Sequence, residues 1–115
     1  MIQYQTWKSG LHILITVEHG SIQIAFPTNQ KDIEDICNAD CTLYAFWVDK
    51  DYRNKGIGNS LLRLAEKISK QQGANTIAIT YNKYETPNYV LNWYKTNKYS
   101  VKYEDNEYII LIKQL

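Results

Sequence analysis

Hydrophobic and polar residues alternate along two early stretches, Leu11 to Val17 and Ser21 to Phe26, which flank His19-Gly20. Alternation sends successive side chains to opposite faces of a strand, so the two runs predict a hairpin turning at His19-Gly20. Ile2 to Trp7 alternates more weakly, and Pro27 ends the second hairpin strand because it lacks a backbone donor. The period then changes. Between Lys31 and Cys37, Ile33 and Ile36 share one face and acidic residues the other, which predicts a short helix. Leu43 to Val48 is nearly all apolar and predicts a central strand. From Gly58 to Gln72, Leu61, Leu64, Ala65 and Ile68 recur at helical spacing, with Glu66 and Lys70 paired on the other face and Gly73 closing the helix. Thr76 to Tyr81 predicts a buried strand, and Thr86 a cap for a helix with Pro87 in its first turn. Val101 to Tyr103 and Glu107 to Ile112, flanking Asp105-Asn106, predict a second hairpin. Strands followed by βαβαββ make an α/β sheet of mixed direction.

Composition narrows the class. A chain of 115 residues with 44% hydrophobic and 22% charged residues predicts a single compact domain, residues 1–115. No apolar run is long enough to cross a membrane and no signal-peptide pattern is present, so a cytoplasmic location is expected. A net charge of +1 supplies no general field for nucleic acid; a nucleic-acid reading rests only on Trp7 and Tyr81 with nearby lysines. Cys37 and Cys41 sit four apart, but His12 and His19 lie far upstream without paired spacing, so no metal is expected. Reduced thiols are expected, and neither has a visible base that would make it a nucleophile.

The chemistry concentrates in Arg53-Asn54-Lys55-Gly56-Ile57-Gly58, between the central strand and the amphipathic helix. Two glycines one residue apart let the backbone approach an anion, and the following helix offers unpaired N–H groups with about half a positive charge. Arg53 and Lys55 add full charges, so the stretch reads as a phosphate-cradling turn. It is neither of two familiar ones. A Walker loop needs four residues between its glycines and a Gly-Lys-Ser/Thr ending. The dinucleotide fingerprint needs a third glycine where Leu61 stands.

Val48 to Gly58 followed by Leu61-Leu62 resembles the acetyl-CoA signature of the GNAT N-acetyltransferase family, Arg/Gln-x-x-Gly-x-Gly/Ala. A second segment, Asn88 to Tyr99, resembles the family's later helix ending in Phe-Tyr-x-Lys-x-Gly-Phe, with Trp93-Tyr94 where Phe-Tyr stands. The resemblance covers most of the chain. It implies a mixed, mostly antiparallel sheet with helices on both faces, and acetyl-CoA as cosubstrate. By position, Phe46, Trp47 and Val48 would pair with the pantetheine arm. Arg53, Asn54, Lys55, Gly56, Ile57, Gly58 and Asn59 would hold the diphosphate, and Tyr94 would protonate the departing thiolate. A phenol of ordinary pKa near 10 lies close to a thiol near 8.5. The family's asparagine seven residues before that tyrosine is here Pro87, with Asn88 its nearest substitute. Lys98 takes the position of a glycine that ends the helix left-handed, and Asn97, which tolerates that conformation, is expected to end it instead.

Two helices that usually separate the family's first strands have no room between Trp7 and His12. An open acceptor site is implied, fitting a protein or peptide amine, or walled by a second subunit in a homodimer. Thr42 to Val48 and Thr76 to Asn82 contain no acid, so no general base can be named. An α-amine, neutral about a seventh of the time at pH 7, suits such a site better than a lysine. The expected reaction is direct transfer from acetyl-CoA to an amine, the oxygen polarised by a backbone N–H near Trp47 or Val48. The alternative is a catalytically inactive member of the fold that works by binding a partner protein.

Overall fold

In the computed structural model, which describes residues 1–115, the first three runs form a meander of β1 (Ile2–Trp7), β2 (Gly10–Val17) and β3 (Gly20–Pro27). The hairpin turns at Glu18-His19, one residue earlier than the sequence predicts, with Val17 opposite Gly20. Gly20 is needed for packing: a Cβ there would lie 3.0 Å from Leu61 Cδ1 and 3.1 Å from the Trp47 carbonyl oxygen. His19 takes the positive φ of 69° instead.

Helix α1 is shorter than predicted, Gln30–Asp35, because Asn29 caps it through a bond from the Asp32 N–H and Cys37 and Asn38 turn left-handed after it. Strand β4 (Cys41–Val48), a single 3-10 turn at Lys50–Tyr52, α2 (Ile57–Gln71), β5 (Thr76–Asn82), α3 (Asn88–Thr96), β6 (Ser100–Glu104) and β7 (Tyr108–Gln114) follow. Pro87, not Thr86, stands at the N-cap of α3 and its side chain makes no cap bond. The Thr86 carbonyl instead accepts from the Tyr81 hydroxyl at 2.6 Å.

One mixed sheet results, ordered β1-β2-β3-β4-β5-β7-β6, antiparallel except between β4 and β5. This is the expected α/β architecture. On one face Ile13, Ile15, Ile22 and Ile24 pack with Leu61, Leu62, Ala65 and Ile68 of α2 in the main core. Each such large side chain stabilises by about 1.5–3 kcal/mol when fully buried, so this face of the helix, more than intrinsic propensity, fixes α2. On the other face a smaller cluster packs Ile36 and Ala39 on Ala78 and Ile110, with Cys37 and Ile112 beside them. Tyr81 belongs to the main core at 2% exposure, which removes one of the two aromatics on which a nucleic-acid surface would rest.

Candidate active site

Strand β4 holds the decisive irregularity. Ser21 pairs with Trp47 but Gln23 with Tyr44, so Ile22 alone opposes Ala45 and Phe46. Ala45 absorbs this bulge at a φ of 47°. Cys41 and Leu43 face α2 before the bulge, buried in the main core, and Phe46 and Val48 after it, packed against that core. Tyr44 and Trp47 consequently look out from the other face. Pairing with β5 is confined to Cys41–Leu43 against Ile77–Ile79. Beyond Leu43 the two strands part, and the β5-facing backbone of Tyr44 to Val48 has no strand beside it.

The glycine turn lies at the end of this opening. Asn54 and Gly56 are both left-handed, with φ of 63° and 83°. Gly56 is the N-cap of α2, and a Cβ on it would meet nothing within 4 Å. Its need is conformational, and the space before it is free. The first helical bond runs from Ser60 N–H to Gly56 C=O at 3.0 Å, leaving the N–H groups of Ile57, Gly58 and Asn59 unpaired within the helix. The first turn carries no acid. Arg53 donates from Nε to the Val48 carbonyl at 3.1 Å, and neither it nor Lys55 is in an ion pair. Free donors, a helix N-terminus and unneutralised cations together suit a diphosphate.

Helix α3 reaches the same place. The Trp93 indole donates to Asn59 Oδ1 at 3.1 Å, and its ring centroid lies 5.9 Å from that of Phe46. A Cβ on Gly58 would sit 3.9 Å from both rings, so this glycine has room for alanine. Tyr94 follows Trp93 inward, its ring 5.5 Å from Trp93 and 6.1 Å from Tyr99. Burial pushes its phenol up to about 12. Asn88 opens α3, and its Oδ1 lies 3.4 Å from the Tyr81 hydroxyl, whose single proton is donated to the nearer Thr86 carbonyl. Trp47 is half exposed, and its carbonyl oxygen is turned towards β3, where a Cβ on Gly20 would lie 3.1 Å from it.

Three residues given no role at the site by the sequence pattern support the turn. His19 at the hairpin tip stacks on Tyr52 at 3.4 Å and 6°, and its Nδ1 shares a 3.0 Å hydrogen bond with Asp49. The Asp49 N–H also donates to the His19 carbonyl at 2.7 Å. This clamp ties the β2–β3 hairpin to the segment entering the turn. Cys41 is a structural thiol: burial raises it to about 11, and it donates to the Thr76 carbonyl at 3.7 Å.

The acetyltransferase (GNAT) family model matches residues 20–95, from the first residue of β3 almost to the end of α3. The chain belongs to the GNAT acetyltransferase family. Solved structures with the same fold include the PaiA N-acetyltransferase of Thermoplasma acidophilum in complex with coenzyme A, 20% identical with a TM-score of 0.68. That match covers 90% of this chain and 60% of that one. An acetyltransferase from Bacillus cereus is 18% identical with a TM-score of 0.66, over 99% of this chain and 74% of that one. PH1933 from Pyrococcus horikoshii is 19% identical with a TM-score of 0.69, over 90% and 64%. This GNAT chain thus spans less than two thirds of the Thermoplasma and Pyrococcus proteins it resembles. No curated protein matches it. No helix in it is long and apolar enough to cross a membrane.

Proposed function

We propose that this GNAT chain transfers an acetyl group directly from acetyl-CoA to an amine of a protein or peptide. The observation that carries the reading is the parting of β4 from β5 beyond Leu43, beside an N-terminus of α2 whose donors are free. In this reading the backbone of Asn54 to Asn59, with Arg53 and Lys55, binds the diphosphate. The edge from Phe46 to Val48, which no strand pairs on its β5 side and where Arg53 bonds the Val48 carbonyl, takes the pantetheine arm, and an N–H of that edge polarises the thioester oxygen. The Trp93–Asn59 bond ties the helix that carries Tyr94 to the first turn of α2. The acceptor enters from the sheet face that α1 leaves bare. No lid narrows that approach, which suits a chain segment better than a small enclosed molecule.

Tyr94 is assigned the proton transfer to the leaving thiolate. At about 12 its phenol is a weaker acid than in water. The same loss of water raises the proton affinity of a thiolate formed beside it, which narrows the gap. That raised phenol, and the lack of any acid on β4 or β5, favour a second reading: a member that binds acetyl-CoA or CoA and acts by holding a partner protein. Turnover of acetyl-CoA with a panel of peptide α-amines separates the two. The catalytic reading expects Tyr94→Phe to lower kcat by about 10²-fold or more while acetyl-CoA binding stays within twofold. The second reading expects binding without turnover in either protein.

A further inference from the structure

The two edges of the sheet are built differently. The β6 edge carries Lys102 and Glu104 and is broken by a register shift between Val101 and Tyr103. Charge and bulges of this kind keep an edge from pairing with another strand. The β1 edge, Ile2-Gln3-Tyr4-Gln5-Thr6-Trp7, has no charge, no proline, no glycine and an unbroken register with β2. Every residue in it is exposed, Tyr4 at 54% and Trp7 at 57%.

Its free hydrogen-bonding groups can be named. The Met1 amino group donates to the Thr16 carbonyl at 2.7 Å, and the Thr16 N–H to the Met1 carbonyl at 2.9 Å. Antiparallel pairs alternate, so Gln3, Gln5 and Trp7 also turn their backbone groups towards β2. The N–H and C=O of Ile2, Tyr4 and Thr6 therefore point out of the sheet. That row is self-complementary about Tyr4: in an antiparallel pair of identical strands Tyr4 meets Tyr4, and Ile2 meets Thr6 on either side.

We propose that two copies of this chain associate edge to edge through β1, forming one continuous antiparallel sheet centred on Tyr4. The two-fold axis stands perpendicular to the sheet, so like faces stay together. Ile2, Tyr4 and Thr6 of both copies line one face of the joint, and Gln3 lies opposite Gln5 on the other, with no charged pair anywhere in it. An isologous contact of this kind closes at two. On the second face the neighbouring strand also extends the floor of an open basin of about 600 Å³ that includes Gln5, Trp7, His12 and Tyr44. The His12 imidazole there is held between Ser9 Oγ at 3.2 Å and the Tyr44 hydroxyl at 2.7 Å. The proposal stands apart from the acetyl-transfer reading, since it uses only the edge.

Two six-residue strands bury less than the ~1,200 Å² of a standard stable interface, so the dimer belongs to the weak class and is sought at about 500 μM protein. Sedimentation velocity across a dilution series should show the mass approach twice that of the chain. Tyr4→Lys, which sets two cations face to face at an already exposed site, should remain monomeric while keeping the wild-type circular dichroism and melting curve. The register is tested by oxidation in a Cys37→Ser background. Tyr4→Cys places two Cα atoms about 5.5 Å apart across the axis and should form a disulfide-linked dimer at least tenfold faster than Gln3→Cys. A wild-type chain that stays monomeric at this concentration overturns the proposal. So does a dimer that survives Tyr4→Lys, or equal cross-linking at positions 3 and 4.

Discussion

Lys98 shows how a single residue keeps a position the backbone would give to glycine. Helix α3 ends with Tyr99 N–H donating to the Tyr94 carbonyl at 3.1 Å and Lys98 N–H to the Lys95 carbonyl at 3.1 Å. This paired closure requires the residue after the C-cap to be left-handed, and that residue is Lys98 at a φ of 77°. Asn97, expected from the sequence to take the left-handed role, is the C-cap at a φ of −86°. The sequence showed the conflict between lysine and this site but not its outcome, because the hydrogen-bond pattern decides which residue turns. Lys98→Gly removes strain of about 1–2 kcal/mol and gives back part of it as unfolded-state entropy. The melting temperature should therefore rise by roughly 4 °C. A fall on calorimetry would show that the lysine side chain contributes more than its backbone costs.

At the scale of elements, what the sequence made legible was whatever carried a clear period. Leu61, Leu64, Ala65 and Ile68 marked α2 to within a residue at each end, and the alternating runs marked β2 and β3. The bulge at Ala45 was not legible. Leu43 to Val48 is apolar on both parities, so a shift of one residue leaves no trace in the pattern. Yet that shift brings both Leu43 and Phe46 onto the α2 face, next to the point where β4 leaves β5. The clamp of His19 on Asp49 and Tyr52 was equally invisible, since its parts lie about thirty residues apart and only the topology of β2, β3 and β4 brings them together. A stacked ring pair and a hydrogen bond to a carboxylate each contribute about 1 kcal/mol. His19→Ala should lower unfolding free energy in urea by about 1–2 kcal/mol. Because the lost contacts order the entry to the glycine turn, calorimetric titration should also show acetyl-CoA binding weakened several-fold. Unchanged binding with reduced stability would confine the clamp to a structural role.

Taken as a whole, the molecule is a sheet with one face built over and the other half bare. The turn between β1 and β2 leaves no helix to cover Gln5, His12 and Tyr44, as the spacing of Trp7 and His12 foretold. The glycine turn, with its free donors, was the most legible part of the site because backbone chemistry dictates its residue types. The proposed acceptor side was the least legible, because an open surface needs no particular residues to form. The proposed function rests first on Asn54 to Asn59 cradling the diphosphate of acetyl-CoA. Thermal unfolding with and without the ligand, in the wild type and in Gly56→Glu, tests it most directly. At a hundred times the dissociation constant the ligand adds about 2.7 kcal/mol, a rise of about 10 °C for a chain of this size. That rise should appear in the wild type and be lost in Gly56→Glu, where a carboxylate would stand in the open space before the helix. No rise in the wild type, or an equal rise in the variant, would contradict it.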